Sequence, residues 1–105
     1  MADNMKIRAV AKNDATEVRV LMIHPMETGR RKNDFGEVEP AHFIQLVTAT
    51  LNGETVLEAQ WGTGVSKNPY LTFRLKRAGA GDTIAVKWVD NKGASGSIET
   101  VVVAG

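Results

Sequence analysis

A chain of 105 residues with 13 Lys and Arg against 12 Asp and Glu carries a formal charge of +1, which sets aside the basic excess that nucleic acid or an anionic membrane would call for. It contains no cysteine, so disulfides, thiolate metal ligands and a thiol nucleophile of its own are excluded. The length fits one domain, residues 1–105, around one core; no window approaches the roughly 18 apolar residues of a membrane span, and the N-terminus has no apolar leader segment. The bare sequence therefore predicts a soluble, unexported chain whose partner is a protein.

In chain order, residues 6–12 and 16–23 are rich in Val and Ile and are joined by Asn13-Asp14-Ala15, which predicts two strands and a turn. Residues 43–51 and 54–61 flank Asn52-Gly53, the preferred pair for a two-residue type I′ hairpin. With Leu51 opposite Glu54, an uninterrupted register pairs Ile44 with Trp61, Leu46 with Ala59 and Thr48 with Leu57, and that face is expected in the core. The reverse face carries Phe43, Val47, Ala49 and Val56, more apolar than a solvated face needs, which suggests that something covers it. Residues 70–76 alternate, with Leu71, Phe73 and Leu75 inward. Residues 83–90 and 95–103 flank the three-residue turn Asn91-Lys92-Gly93, which sets Gly96 opposite Trp88, Ile98 opposite Val86 and Thr100 opposite Ile84. Both tryptophans are expected to be substantially buried, with Ile44 beside Trp61. About seven short strands without a helical period predict an all-β, immunoglobulin-like antiparallel β-sandwich.

One stretch breaks the rhythm. His24 to Phe43 has neither a two-residue nor a helical period and is punctuated by Pro25, Gly29, Gly36 and Pro40. Connections longer than about 12–15 residues are uncommon in compact domains unless they are functional or disordered, so function is sought here. His24 and His42 bracket the loop and could share a metal, with Glu27, Glu37 or Glu39 as a third ligand, but no known ligand spacing is present. Each histidine also suits the plainer role of a local hydrogen-bonding partner at a strand end, and neither belongs to a recognisable nucleophile motif. Arg30 and Arg31, with Lys32, could take an anion or a partner's carboxylate, although four acidic residues share the loop. Gly62-Thr63-Gly64 with Ser66-Lys67 lacks Walker spacing and a following helix, so it reads as a place where the chain changes sheets.

Two stretches carry a family likeness: His24 to Arg31 with Pro40 to Ile44, and Trp61 to Tyr70 (Trp-Gly-Thr-Gly-Val-Ser-Lys-Asn-Pro-Tyr). They resemble SoxZ, a subunit of the SoxYZ carrier in bacterial thiosulfate oxidation. Trp88 to Gly93 with Ser95-Gly96 is similar to the family's last hairpin, and the likeness spans nearly the whole chain. It implies a non-catalytic subunit, without cofactor or metal, that pairs with SoxY, whose C-terminal cysteine arm carries the sulfur intermediate. It also implies transient contacts with other Sox enzymes, and a periplasmic location reached by co-export with a signal-bearing SoxY. His24, Met26, Arg30, Arg31, His42, Asn68 and Tyr70, all within the matching stretches, are the expected partner-binding residues. The alternatives are a small anion- or metal-binding enzyme built on His24, His42, Arg30 and Arg31, and a generic immunoglobulin-like interaction module.

Overall fold

The structure is a computed structural model and describes residues 5–76 and 78–105. Eight strands follow one another: β1 Met5–Lys12, β2 Ala15–Met22, β3 Ile44–Leu51, β4 Glu54–Gln60, β5 Tyr70–Leu75, β6 Thr83–Asp90, β7 Ser95–Val101 and β8 Val103–Ala104. Among the described residues there is no helix, and so none long and apolar enough to cross a membrane. The strands form two four-stranded sheets, β5-β2-β1-β8 and β4-β3-β6-β7. All pairs are antiparallel except β1 with the short β8. The β-sandwich expected from strand spacing is the observed fold, with strand limits within two residues of the expected ones apart from the last stretch, which divides into β7 and β8.

Alternation explains the layering. In the first sheet Val18, Val20 and Met22 of β2 are fully buried with Met5 and Ala9 of β1, and Leu71 and Phe73 of β5 face Val20 and Val18. They meet Val47, Ala49 and Leu51 of β3 and Ile84, Val86 and Trp88 of β6 across the sandwich. The last hairpin has the expected register, Trp88 with Gly96, Val86 with Ile98 and Ile84 with Thr100. At its turn Gly93 has φ 85°, a left-handed conformation that glycine adopts without penalty. Asn52, at φ 51° in the other hairpin, is held by two side-chain bonds. Its Oδ1 accepts the Thr83 amide at 2.9 Å and its Nδ2 donates to Asp82 Oδ1 at 3.3 Å.

One expected face is inverted. Leu51 does pair with Glu54 and Thr50 with Thr55, but the register then slips so that Leu57 faces Ala49 and Ala59 faces Val47, leaving Val56 as an extra residue in β4. Leu57 and Ala59 still point inward, whereas Leu46 and Thr48 turn outward and Val47 and Ala49 become fully buried. Energetics favour the bulge. Burying a valine contributes roughly 1.5–3 kcal/mol, while a buried Thr48 hydroxyl would need a partner or cost about 1–3 kcal/mol. A second slip at Gln45 returns Ile44 to the core. The apolar reverse face of β3 is therefore covered by the first sheet. Trp61, outside β4, is only half-buried; its amide donates to the Gln45 carbonyl at 2.9 Å, and its register partner is not Ile44.

Trp88 is buried, and its indole covers Gly96 so closely that a Cβ there would lie 2.6 Å from Nε1. Gly96→Ala should therefore lower stability by about 1–3 kcal/mol, the cost of overpacking a filled site, read as a lower denaturation midpoint at unchanged m value. The Gly62→Ala control, where a Cβ meets open space, should change it by less than about 0.5 kcal/mol.

Candidate functional site

The stretch from His24 to Phe43, expected to be a long loop, is an irregular hairpin. Glu27 and His42 exchange backbone bonds of 2.7 and 3.0 Å, the Glu39 amide donates to the Arg31 carbonyl, and the Asn33 amide donates to the Glu37 carbonyl. The tip is organised by Asn33, whose Oδ1 accepts the amides of Phe35 and Glu37, and Gly36 turns at φ 79°. Phe35 stands at this tip 87% exposed. The chain measures 53 × 24 × 22 Å with a radius of gyration of 15.6 Å, against about 13 Å for a compact domain of this length.

The base of the hairpin is a buried polar cluster. Asp90, at the end of β6, is 2% exposed, and His24, just beyond β2, is 3% exposed. His24 Nε2 lies 3.0 Å and His42 Nε2 2.7 Å from the same Asp90 Oδ2. Oδ1 accepts the amides of Lys92 and Ala94 at 3.0 and 2.9 Å, so the carboxylate has four donors. Burial alone would raise the Asp90 pKa, but hydrogen bonds from His24 and His42 and from the two amides outweigh it, and the value falls to about 2.

The network assigns the tautomers. The Met26 amide donates to His24 Nδ1 at 3.1 Å, so the His24 proton resides on Nε2 and is given to Asp90. The ionised carboxylate only accepts, so His42 Nε2 also donates. Met26 itself sits at φ 49° and is buried, its sulfur accepting the Ile44 amide at 3.3 Å. A methionine in the left-handed region is uncommon and persists only when its surroundings hold it there.

Neighbouring segments are tied to the same point. Asn68, at φ 53°, donates its amide to the His24 carbonyl at 3.0 Å and accepts the His24 amide on Oδ1 at 3.1 Å. Asn91 accepts the Phe43 amide on Oδ1 and donates Nδ2 to the Ala41 carbonyl, at 2.8 and 2.9 Å. His24 packs edge-on against both His42 and Trp88, with ring centroids 4.6 and 5.1 Å away.

His24, His42 and Asp90 bring three potential ligand atoms within 4.8 Å, so the metal alternative can be tested on its chemistry. The acidic partner is Asp90, not Glu27, Glu37 or Glu39. A metal would need the Nε2 lone pairs, and His24 would then carry its proton on Nδ1, facing the Met26 amide proton at 3.1 Å. Two donors would oppose each other in a buried site. The cluster fits hydrogen bonding, not ligation.

The expected partner-binding residues thus divide. His24, Met26, His42 and Asn68 converge on the hairpin base, with His24 and Met26 buried. Arg31 is held against Glu27, with Nε 2.8 and 3.0 Å from the two carboxylate oxygens, and that contact lowers the Glu27 pKa. Arg30 is exposed further along, and Tyr70 lies on the outer face of the first sheet, opposite Leu21. Sequence reading missed Asp90 and Asn91. An Asp opening an Asn-Lys-Gly turn suggests an Asx cap of that turn, which accounts for Oδ1 but gives no sign that Oδ2 meets two histidines from distant segments.

Together the sandwich and its cluster define a β-sandwich domain whose central polar group braces a projecting hairpin. The chain belongs to the SoxZ family: the family model for "Sulphur oxidation protein SoxZ" matches residues 5–101, which bears out the resemblance and gives the chain a role in sulfur oxidation. No curated protein matches it.

Asp90→Asn keeps the shape but offers one acceptor oxygen where two serve four donors, and should lower stability by on the order of 3 kcal/mol. The native Asp90 pKa lies below the unfolded value, so its contribution is full above about pH 4 and is lost as pH falls toward about 2, on the order of 2 kcal/mol in all. Denaturation series from pH 6 to pH 2 should show this acid-side loss in the parent chain and a smaller one in Asp90→Asn.

Proposed function

We propose that the chain is the non-catalytic subunit of a heterodimeric sulfur carrier. In this reading it binds SoxY, whose C-terminal cysteine holds the sulfur intermediates of thiosulfate oxidation covalently, and helps present them to visiting Sox enzymes. The observation that carries the reading is the family match over residues 5–101 in a chain without any cysteine: the thiolate that covalent sulfur transfer needs must come from another chain. As a SoxY-bound subunit it would work in the periplasm and be exported with its partner.

The hairpin supplies the contact surface in this proposal. Arg30 and Arg31 on its exposed arm are of a residue type enriched at interface centres. His42, whose side chain is 27% exposed, and the exposed Asn68 adjoin its base, while buried His24 and Met26 set the angle at which it leaves the sandwich. An enzyme built on His24, His42 and the arginines is disfavoured, since both imidazoles are engaged with Asp90 and the Arg31 guanidinium with Glu27.

Intact-mass measurement after incubation with thiosulfate should find no adduct on this chain and a sulfur adduct on co-expressed SoxY; an adduct on this chain, absent from denatured controls, would contradict the carrier-subunit reading. Arg30→Ala with Arg31→Ala should leave the thermal midpoint nearly unchanged, because exposed charges contribute little to folding. The pair should weaken the heterodimer by at least about 1 kcal/mol, or leave it intact while thiosulfate-dependent activity falls. If neither changes, the hairpin is no contact surface.

A further inference from the structure

The near-neutral total charge conceals a segregated surface. Residues directly opposite in antiparallel pairs point to the same side, so the outer face of the first sheet reads in rows across β1, β2 and β5: Lys6–Leu21–Tyr70, then Arg8–Arg19–Thr72, then Val10–Glu17–Arg74. Lys12 extends it opposite Ala15. Five cations (Lys6, Arg8, Lys12, Arg19, Arg74) share this face with one carboxylate, a net of +4 on these strand positions where the whole chain carries +1.

That carboxylate is already shared. Glu17 lies 2.9 Å from Arg19, 3.6 Å from Lys12 and 3.9 Å from Arg74. Among the described residues Lys6 and Arg8 form no ion pair, and Arg8 stands directly opposite Arg19. Like charges facing across a strand pair are destabilising, so folding alone gives no reason to place two arginines there. A ligand that brings negative charge does.

Beside them lies a pocket of about 270 Å³ whose apolar side chains are Leu21 and Tyr70, rimmed by Lys6, Arg8 and Arg19; Ile7 borders it from β1, but its side chain belongs to the inward face with Val20. Tyr70 is 60% exposed, although an aromatic of this size ordinarily buries most of its surface. Cations around an apolar depression, with Tyr and Arg as the principal side chains, match the composition of protein interface centres. Nucleic acid is the weaker fit, because a single aromatic offers little stacking and the chain's isoelectric point of about 8.1 lies below the basic range typical of such domains.

We propose that the outer face of the β5-β2-β1 sheet is a docking surface for an acidic segment of a partner protein, one that seats an apolar side chain in the Leu21–Tyr70 pocket between Lys6, Arg8 and Arg19. The surface is separate from the hairpin and does not depend on SoxY being the partner there. Complementary charge sets the encounter rate and its salt sensitivity, and the pocket sets the preference for an apolar anchor.

The test uses the isolated full chain and a fluorescein-labelled peptide of Glu and Asp residues around one Phe, with a counterpart in which Ser replaces that Phe. Anisotropy should show saturable binding that weakens as salt rises, with the Phe peptide bound more tightly than the Ser peptide. Arg8→Gln with Arg19→Gln should weaken both peptides by at least about tenfold, the scale of one lost charge-assisted contact; Tyr70→Ala should erase the preference for Phe. Arg30→Ala with Arg31→Ala should leave peptide binding unchanged, which separates this surface from the hairpin. Circular dichroism and thermal midpoints establish that each variant is folded. Binding indifferent to the Arg8 and Arg19 changes, or equal for the two peptides, overturns the proposal. So does tighter binding to an oligonucleotide or to phosphatidylserine vesicles. Sedimentation showing self-association that Phe35→Ser abolishes would also overturn it, giving the pocket to the hairpin tip of a second copy.

Discussion

A single carboxylate, Asp90, fixes how the two halves of this chain meet. It is buried and ionised, a state that would cost several kcal/mol unless every lone pair found a donor. The donors come from places far apart in sequence: the end of β2 through His24, the returning arm of the hairpin through His42, and the β6–β7 turn through two backbone amides. Satisfying that one group aligns the last hairpin with the segment in which the chain crosses between sheets. Its hydrogen bonds carry direction, which hydrophobic contact alone does not, so the projecting arm leaves the sandwich at a defined angle.

Much of the fold was legible because its signals are local. Alternation in 70–75, Asn52-Gly53 and Asn91-Lys92-Gly93 each specify a strand or turn within a few residues, and the last hairpin's register follows from its turn by counting. The error in β3 also came from counting: a single bulge at Val56 inverts which face is inward, and its cause, the burial of Val47 and Ala49 in place of Thr48, is a property of the opposing sheet that no local pattern contains. Asp90 was illegible for a related reason. It looks like a turn residue, and it is one, but its second oxygen is engaged 48 and 66 positions away. Met26 is expected at a partner surface because methionine is a residue type enriched at interface centres; the left-handed backbone and the sulfur contact that bury it are tertiary.

The outer face of the first sheet shows how a balanced composition can mislead. Lys6, Arg8 and Arg19 sit on strands whose inward positions are mostly Val, Ile, Met and Ala, so in sequence they are the ordinary polar half of an alternating pattern. Only the pairing of β1 with β2 and of β2 with β5 places Arg8 against Arg19 and sets five of the chain's thirteen cationic side chains on one face, while the hairpin, β4 and β7 carry much of the negative charge. Membership in the sulfur oxidation family gives the chain a role in that chemistry, and the absence of cysteine means that no thiol of its own takes part.

Asn52 bears on how long the molecule lasts as a covalent object. An asparagine followed by glycine is the sequence most prone to lose its amide, because the glycine nitrogen reaches the side-chain carbonyl carbon with little hindrance and closes a succinimide. Here that side chain is tied at both ends, to the Thr83 amide and to Asp82, and ring closure would have to break those bonds and rotate the amide. The contacts that tie the hairpin turn to the neighbouring 79–83 turn therefore also slow its chemical ageing, and any loosening of the 79–83 turn would start that clock at a position where an added charge or a lengthened backbone would unsettle the turn between β3 and β4.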